Sequence, residues 1–460
     1  MQTSGDVRVE EVYLTTTLGE HLDLSNFLLE LSLTESIHQP CLFGSALITD
    51  AANILGTLFT GNEMITFKLR TPYLEESPET IIHKTFSVYS VTDRTLDNDR
   101  QQFYKVHFMS LEGQADSITR FNKKYSGGTE AIASEIFEEI AEPRTVKGGD
   151  KSEMMLYDIP HATNNFEFIS TYWSPFKCLN YLAKNSIGQS LKMPNVMFFE
   201  SNKRYYFTSI SSLVQQQKDA KTLYDEYSYI SVLDEGLDNS RDSRRGGSVK
   251  YTSPFESNQM ITVSNVEYPV YYDELENRMS GYYGNTTFAY DFANKDMYDI
   301  RFDYTLQHEE RQQELKNLLP DTFTTFKHIT NTAPFSEDII SDPLSVINFK
   351  AGASGLFGEN DAFNVNQVTA TSFRNTAMAE LDAVKYEITV PGKTDVELGR
   401  LIRFNYPNVG DRATNPSLDS LFDPKISGVY IITGIRHSIS ATREHEMVLE
   451  IVRDSVGDEE

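Results

Sequence analysis

Apolar and polar residues alternate with a period of two through most of the first hundred or so positions. In FLLELSLT, Phe27, Leu29, Leu31 and Leu33 fall on one face, while Glu30, Ser32 and Thr34 fall mostly on the other. That is the pattern of a half-buried strand. CLFGSALITD, MITFKLR, KTFSVYSVTD and FYKVHFMSLE repeat it, separated by turn formers at Thr60–Gly61–Asn62 and Leu96–Asp97–Asn98–Asp99. So many short strands in so short a stretch predict an antiparallel barrel or sandwich over residues 1–115.

The period changes after Gly127–Gly128. Thr129 can cap a helix through TEAIASEIFEEIAE, in which Ile132, Ile136, Phe137 and Ile140 form one apolar face. SPFKCLNYLAKNSI predicts a second helix, with Ser174 as cap and Pro175 in the first turn. MFFES and RYYFTSI then predict a hairpin turned at Ser201–Asn202–Lys203. Residues 116–215 thus read as a small α+β domain. Residues 216–258, with SRDSRRGGS at 240–248, read as a polar linker or loop. Three clustered arginines beside two aspartates make a poor nucleic-acid arm. Strand character resumes over 259–305 and 371–456. Between them, 306–370 reads as an insertion, with a polar helix LQHEERQQELKNLL and irregular segments.

The end of the chain echoes its beginning. Glu63–Met64–Ile65–Thr66–Phe67 follows Gly61, and Arg400–Leu401–Ile402–Arg403–Phe404 follows Gly399. Each leads to a hairpin: FSVYSVTD to FYKVHFMS in the first copy, YIITGIRHS to EMVLEIVRDS in the second. The pattern predicts one β-domain used twice, around an α+β centre. The fold class expected is α+β, mainly β.

The second hairpin is dense in reactive side chains. With its tip near Ala441, Ile435 pairs with Met447, Thr433 with Leu449 and Ile431 with Ile451. His437 and His445 then face each other near the tip, and Glu444 and Glu446 point away. Two local ligands fall short of the three or four a zinc site usually needs, so no metal ligands are assigned.

Composition narrows the field. Charged residues make up 23% and hydrophobic residues 39%, as in a globular protein, and 28 Phe and 25 Tyr against one Trp favour β-structure. A formal charge of −26 argues against a surface built to grip nucleic-acid phosphates. Cys41 and Cys178 stand far apart without metal-ligand spacing, and read as reduced thiols. MQTSGDVRVEE has no features of a signal peptide, and no run reaches the roughly 20 apolar residues of a membrane helix.

Enzyme signatures fail one by one. There is no GxSxG elbow. Gly352–Ala353–Ser354–Gly355–Leu356–Phe357–Gly358 lacks the GK[ST] ending of a phosphate-binding loop. His308–Glu309–Glu310 lacks the second histidine of HExxH, and Asp97–Asn98–Asp99 lacks calcium-loop spacing. Among 67 acidic residues no glycosidase pair can be singled out. No catalytic, cofactor-binding or metal residue is assigned.

SLTESIHQPCLFGSALITDAANILGTLFTGNEMITFKL, with Asp50 ending a strand and Gly61, Asn62, Glu63 and Ile65 starting the next, resembles the first barrel of the central baseplate hub proteins of contractile-tailed, T-even-like bacteriophages. TAMAELDAVKYEITVPGKTDVELGRLIRFNYP with SGVYIITGIRHSIS resembles the end of that family, and NVEYPVYYDELENRMSGYY the opening of its second barrel. The resemblance implies two tail-tube-like barrels per chain and a homotrimer forming a pseudo-sixfold ring. Such a ring joins a tail tube or tube-initiator protein above to a central spike below. It surrounds a channel for DNA and the tape-measure protein, with no enzymatic activity and no membrane insertion. The implied location is the virion baseplate, assembled in host cytoplasm. Two alternatives stand beside this reading: a distal tail or other tube-like adaptor of a contractile injection machine, and a β-rich polysaccharide-binding or -cleaving tail protein.

Overall fold

The structure, a computed structural model, describes residues 5–17, 19–57, 61–72, 74–98, 101–141, 152–157, 165–188, 194–219, 225–229, 262–270, 279, 281, 284–292, 295–303, 347–352, 373–379, 384–407, 422–423 and 425–453. It is mainly β with α+β character.

The first β unit comprises β1 (Arg8–Thr15), β2 (His21–Asp23), β3 (Leu28–Ser36), β4 (Phe43–Asp50), the short helix α1 (Ile54–Thr57), β5 (Met64–Arg70), β6 (Ile81–Asn98) and β7 (Gln101–Ser110). Its strands lie in the order β3-β4-β7-β6-β5-β1-β2, all antiparallel. In β7 every second residue is buried, as the period of two predicts. β3 departs from it. A bulge between Leu28 and Glu30 puts Leu28 rather than Leu29 inside, because the extra residue reverses the alternation locally.

The central segment comprises α2 (Leu111–Ile118), β8 (Lys124–Gly128), α3 (Thr129–Ala141), β9 (Met154–Tyr157), β10 (Asn165–Ile169), α4 (Pro175–Asn185), β11 (Val196–Glu200), β12 (Tyr205–Ser209) and α5 (Ile210–Asp219). α3 buries Ile132, Ile136, Phe137 and Ile140, the apolar face seen in the sequence. The start of α4 is fixed by Pro175 and two acceptors. Ser174 Oγ accepts from Lys177 N, and Asp116 Oδ1 accepts from Phe176 N at 2.6 Å. Strands β11 and β12 are buried along their whole length. Val196, Phe198, Tyr205 and Phe207 join the core of the central segment, and Met197, Phe199 and Tyr206 join the core of the second β unit.

That second unit comprises β13 (Asp225–Tyr229), β14 (Thr262–Val263), β15 (Asn265–Val270), β19 (Val384–Pro391), β20 (Leu401–Asn405), β21 (Gly428–Ile439) and β22 (His445–Arg453). Their order is β15-β19-β22-β21-β20-β13-β14. Taken in chain order, this is the strand order of the first unit, so β1 corresponds to β13, β3 to β15, β6 to β21 and β7 to β22. The bulges correspond too, between Val88 and Ser90 in one hairpin and between Ile432 and Gly434 in the other. One difference is that β13 runs parallel to β20 and β14, where β1 runs antiparallel to β5 and β2.

Three sequence expectations change. Within 216–258, α5 continues to Asp219 and Asp225–Tyr229 form β13, whose Tyr227 is fully buried; a local polar composition does not reveal a strand whose partner, β20, comes from far along the chain. In 259–305, β16 (Gly284–Asp291) and β17 (Asp296–Asp303) stand outside the second unit, in a separate sheet with β18 (Ile347–Gly352) from the expected insertion. The polar helix at 306–319 and the segment at 240–248 lie outside the described residues.

β21 joins the two β units into one sheet. One edge pairs with β22 along its length, and the other pairs first with β20 and then, over Gly434–Ile439, with β3 of the first unit. Across this seam the cores exchange side chains: Ile439 packs among first-unit residues and Ile37 among second-unit residues.

Candidate functional site: the buried junction of the units

Every residue of the β11–β12 turn, 200–204, bonds to the first β unit, and Asn202 and Lys203 reach the second as well. Glu200 Oε2 accepts from Leu42 N at 2.7 Å and from Ser110 Oγ, and Oε1 pairs with Lys84 of β6. Ser201 Oγ and Asn202 N donate to Glu35 Oε2 at 3.2 and 2.9 Å. Lys203 Nζ donates to the carbonyls of Ile81 at 2.7 Å and Thr394 at 3.3 Å, and Arg204 Nη2 to Glu79 at 2.8 Å. Beside it, Thr71 and Thr394 bond reciprocally, each hydroxyl accepting the other's backbone N–H at 3.1 and 3.0 Å.

Glu35 continues the network into the histidine pair. Its Oε1 lies 3.2 Å from His437 Nε2, and His437 Nδ1 lies 3.0 Å from His445 Nε2. In the tautomers this chain favours, His437 Nε2–H donates to the carboxylate and His445 Nε2–H donates to His437 Nδ1. His445 Nδ1 is left as a bare acceptor without a partner. The His445 ring lies against the backbone of Gly392: a Cβ there would fall 2.0–2.3 Å from ring atoms, so only glycine fits. Backbone bonds fix the ring's own strand, with Gly392 N donating to His445 O at 2.7 Å and His445 N to Gly5 O at 2.6 Å.

Desolvation dominates the electrostatics. Burial raises the Glu200 carboxyl even against the attraction of Lys84, and burial lowers the Lys203 ammonium. Burial holds the His445 imidazole well below its ordinary range, and the neighbouring His437 adds to that. The Cys41 and Cys178 thiols are free and buried, pushed up to about 12 and about 11, chiefly by desolvation.

Ser, Glu and His occur together here, yet not as a nucleophilic triad. Ser201 donates to the same carboxylate that His437 contacts, so no histidine stands ready to take its proton. All three side chains are buried away from solvent. Glu35, His437 and His445 form a line of bonds rather than converging on a point, and among the described residues no three His, Cys, Asp or Glu could hold a metal ion. What this arrangement does is lock three chain segments together.

The hairpin register differs from the sequence expectation. His437 opposes Met447 and Ile439 opposes His445, while Ile435 opposes Leu449 and Ile432 opposes Ile451. A tip closed by Ser440 N to Glu444 O at 2.9 Å sets a two-residue slip over Gly434–Ile439, and the bulge at Thr433 reduces it to one residue beyond. The slip keeps parity, so the histidines still face inward and Glu444 and Glu446 outward. Gly352 ends β18, and 353–358, His308, Glu309, Glu310 and Asp99 lie outside the described residues. Sequence reading missed Glu35, Glu200 and Lys203. Glu35 had one legible sign: it continues the inward row of Leu31 and Leu33, where an acid needs a buried partner.

No family model and no curated protein matches the chain. Solved structures do. The tail protein from Neisseria meningitidis MC58 superposes with a TM-score of 0.54 at 10% identity, covering 97% of each chain. The chain has a tail-protein fold. The 43 kDa tail protein of prophage MuSo2 from Shewanella oneidensis shares this tail-protein fold at a TM-score of 0.50 and 9% identity, over 97% of this chain and 100% of that one. At such identities the likeness concerns the fold alone.

Proposed function

We propose that this chain is the structural hub of a phage tail baseplate: a homotrimer whose paired β units form a ring of six around the DNA channel. The observation that carries the reading is the internal duplication, two seven-stranded units of one strand order joined by a shared strand in a tail-protein fold. A chain with two like units turns threefold into approximate sixfold symmetry, which suits an adaptor between a sixfold tail tube and a threefold spike. The buried junction has a place in this reading. It holds the two units of one chain at a fixed angle, which a ring requires. Partners would be the central spike, the tube or its initiator and the tape-measure protein, within the virion tail.

The role is non-enzymatic and the chemistry is that of assembly. Three chains would bring three times the formal charge of −26. Where that charge lines the channel it repels passing phosphates; a channel lined by Lys and Arg would sink this part. Light scattering on the purified protein, followed by negative-stain microscopy, tests the whole. Trimers with an open centre support the hub. A compact monomer that cleaves polysaccharide rejects it, and rings stacked with another symmetry point to a different tube-like adaptor.

A further inference from the structure

The seam inside the chain has an unused counterpart. In the second unit, β20 covers β21 up to Ile431, where Leu401 pairs, and Arg400 O accepts from Ile432 N at 3.0 Å. In the first unit, β5 covers β6 up to Ser87, where Met64 pairs, and Glu63 O accepts from Val88 N at 3.0 Å. Beyond this point the units part. The outer edge of β21 receives β3, whereas no described strand pairs with the outer edge of β6.

Registers carry the correspondence to single residues. Ile439 opposes His445 and Leu96 opposes Gln102, and His445 and Gln102 occupy equal places in β22 and β7. Ile439 is 1% exposed because it is plugged into the neighbouring unit, while Leu96 is 71% exposed. Thr433 at the seam is buried, and its counterpart Tyr89 is 52% exposed. The strand that β6 lacks also exists. β15, the counterpart of β3, pairs among the described strands on one side only, with β19, and its Tyr268 is 45% exposed. Ile37 N donates to Thr433 O, so Leu31, Leu33 and Glu35 turn their backbone groups to the seam. By the same parity Val266 and Tyr268 would do so. Pro269, which has no N–H to give, falls on the other side, in the bulge against β19.

We infer that β15 of one chain adds to the outer edge of β6 of a second copy, repeating between chains the β3–β21 seam within each chain. Transferring the register sets Val266 opposite Leu96 and Glu267 opposite Thr95, as Leu31 and Ser32 stand opposite Ile439 and Ser438. The two edges are different surfaces, so the contact is head-to-tail and propagates around a ring instead of closing a twofold dimer. This rests on the hub reading and gives it its contact residues. The competing view is that the bulge at Thr92–Thr95, with Asp93 at φ 54°, only blunts an edge that stays solvated.

Two experiments on the full chain decide. Thr95→Cys with Glu267→Cys places thiols at a non-hydrogen-bonded pair, where a disulfide fits; the native Cys41 and Cys178 are buried. Oxidation should yield chain-to-chain cross-links in the double variant and in a mixture of the two single variants, but in neither single variant alone. Leu96→Asp should reduce the wild-type assembly to monomers while circular dichroism and the melting of the dissociated chain stay close to those of the wild type, since Leu96 is largely exposed within its own chain. Assemblies that survive Leu96→Asp and give no cross-link overturn this contact and leave the hub reading standing. Head-to-tail cross-links in rings of another number support the contact and overturn the trimer. A wild-type monomer that never cross-links overturns both.

Discussion

β6 and β21 do one job in their respective units, yet at corresponding places one carries Leu96 in solvent and the other Ile439 in a neighbour's core. The rims differ in chemistry as well. Where the second unit has Gly392 against the His445 ring, the first has Asp50, which accepts from Gln102 Nε2 at 2.9 Å and from Ala52 N and Leu55 N at 2.9 and 3.1 Å. The first rim is closed by local bonds around α1. The second is closed by residues hundreds of positions away, from β3 and the β11–β12 turn. Duplication preserved strand order and hairpin register, and the rims diverged because each faces a different neighbour.

Removing one partner of the deepest clamp should have the largest effect. Lys84→Met leaves the buried Glu200 carboxyl without its counter-ion, and should cost about 3–5 kcal/mol in denaturant unfolding. A loss under about 1 kcal/mol would mean that the clamp does not tie the first unit to the centre. Next comes the pair that embodies the comparison. Ile439→Ala should cost about 2–4 kcal/mol as a buried truncation, while Leu96→Ala in the dissociated chain should stay within about 0.5 kcal/mol. Equal losses would contradict the difference between the rims.

Gly392→Ala should cost about 1–3 kcal/mol, because the His445 ring must move to admit the new methyl. A pH effect follows. Burial lowers the His445 pKa, so the folded chain keeps the imidazole neutral while the unfolded chain takes a proton near pH 6.5. Its contribution is therefore full above about pH 6.5 and falls as pH drops, by at most about 1.4 kcal/mol per pH unit. Asp50 titrates later. Burial raises its carboxyl, but the N–H groups of Ile54, Leu55, Gln102 and Ala52 lower it more, so its contribution is lost only below about pH 4. The raised Glu200 carboxyl acts in the opposite sense, so the quantity to measure is the difference between the wild type and His445→Gln. Unfolding from pH 7.5 to 5 should show a slope that this variant lacks; parallel curves would remove His445 from the account.

Much of the fold was legible because its signals are local. The apolar face of α3, Ser174–Pro175 at the start of α4 and the two hairpins all follow from neighbours in sequence. The repeat was visible in Gly61 and Gly399 with their following strands. β13 and β18 were hidden, since short strands owe their state to partners distant in sequence, β20 for β13 and β16 for β18. The bulges at Leu28–Glu30 and at Thr433 changed the expected alternation and register inside local pairings, because an extra residue in a strand leaves the apolar pattern readable either way. At the junction, the histidines were read as a local pair because Glu35 lies 402 positions from His437.

The hub claim is tested most directly by the mass and shape of the full chain in solution. Light scattering should give three chain masses, with negative-stain images showing a ring around an open channel. A single chain mass at every concentration, with no opening in the particles, would contradict it.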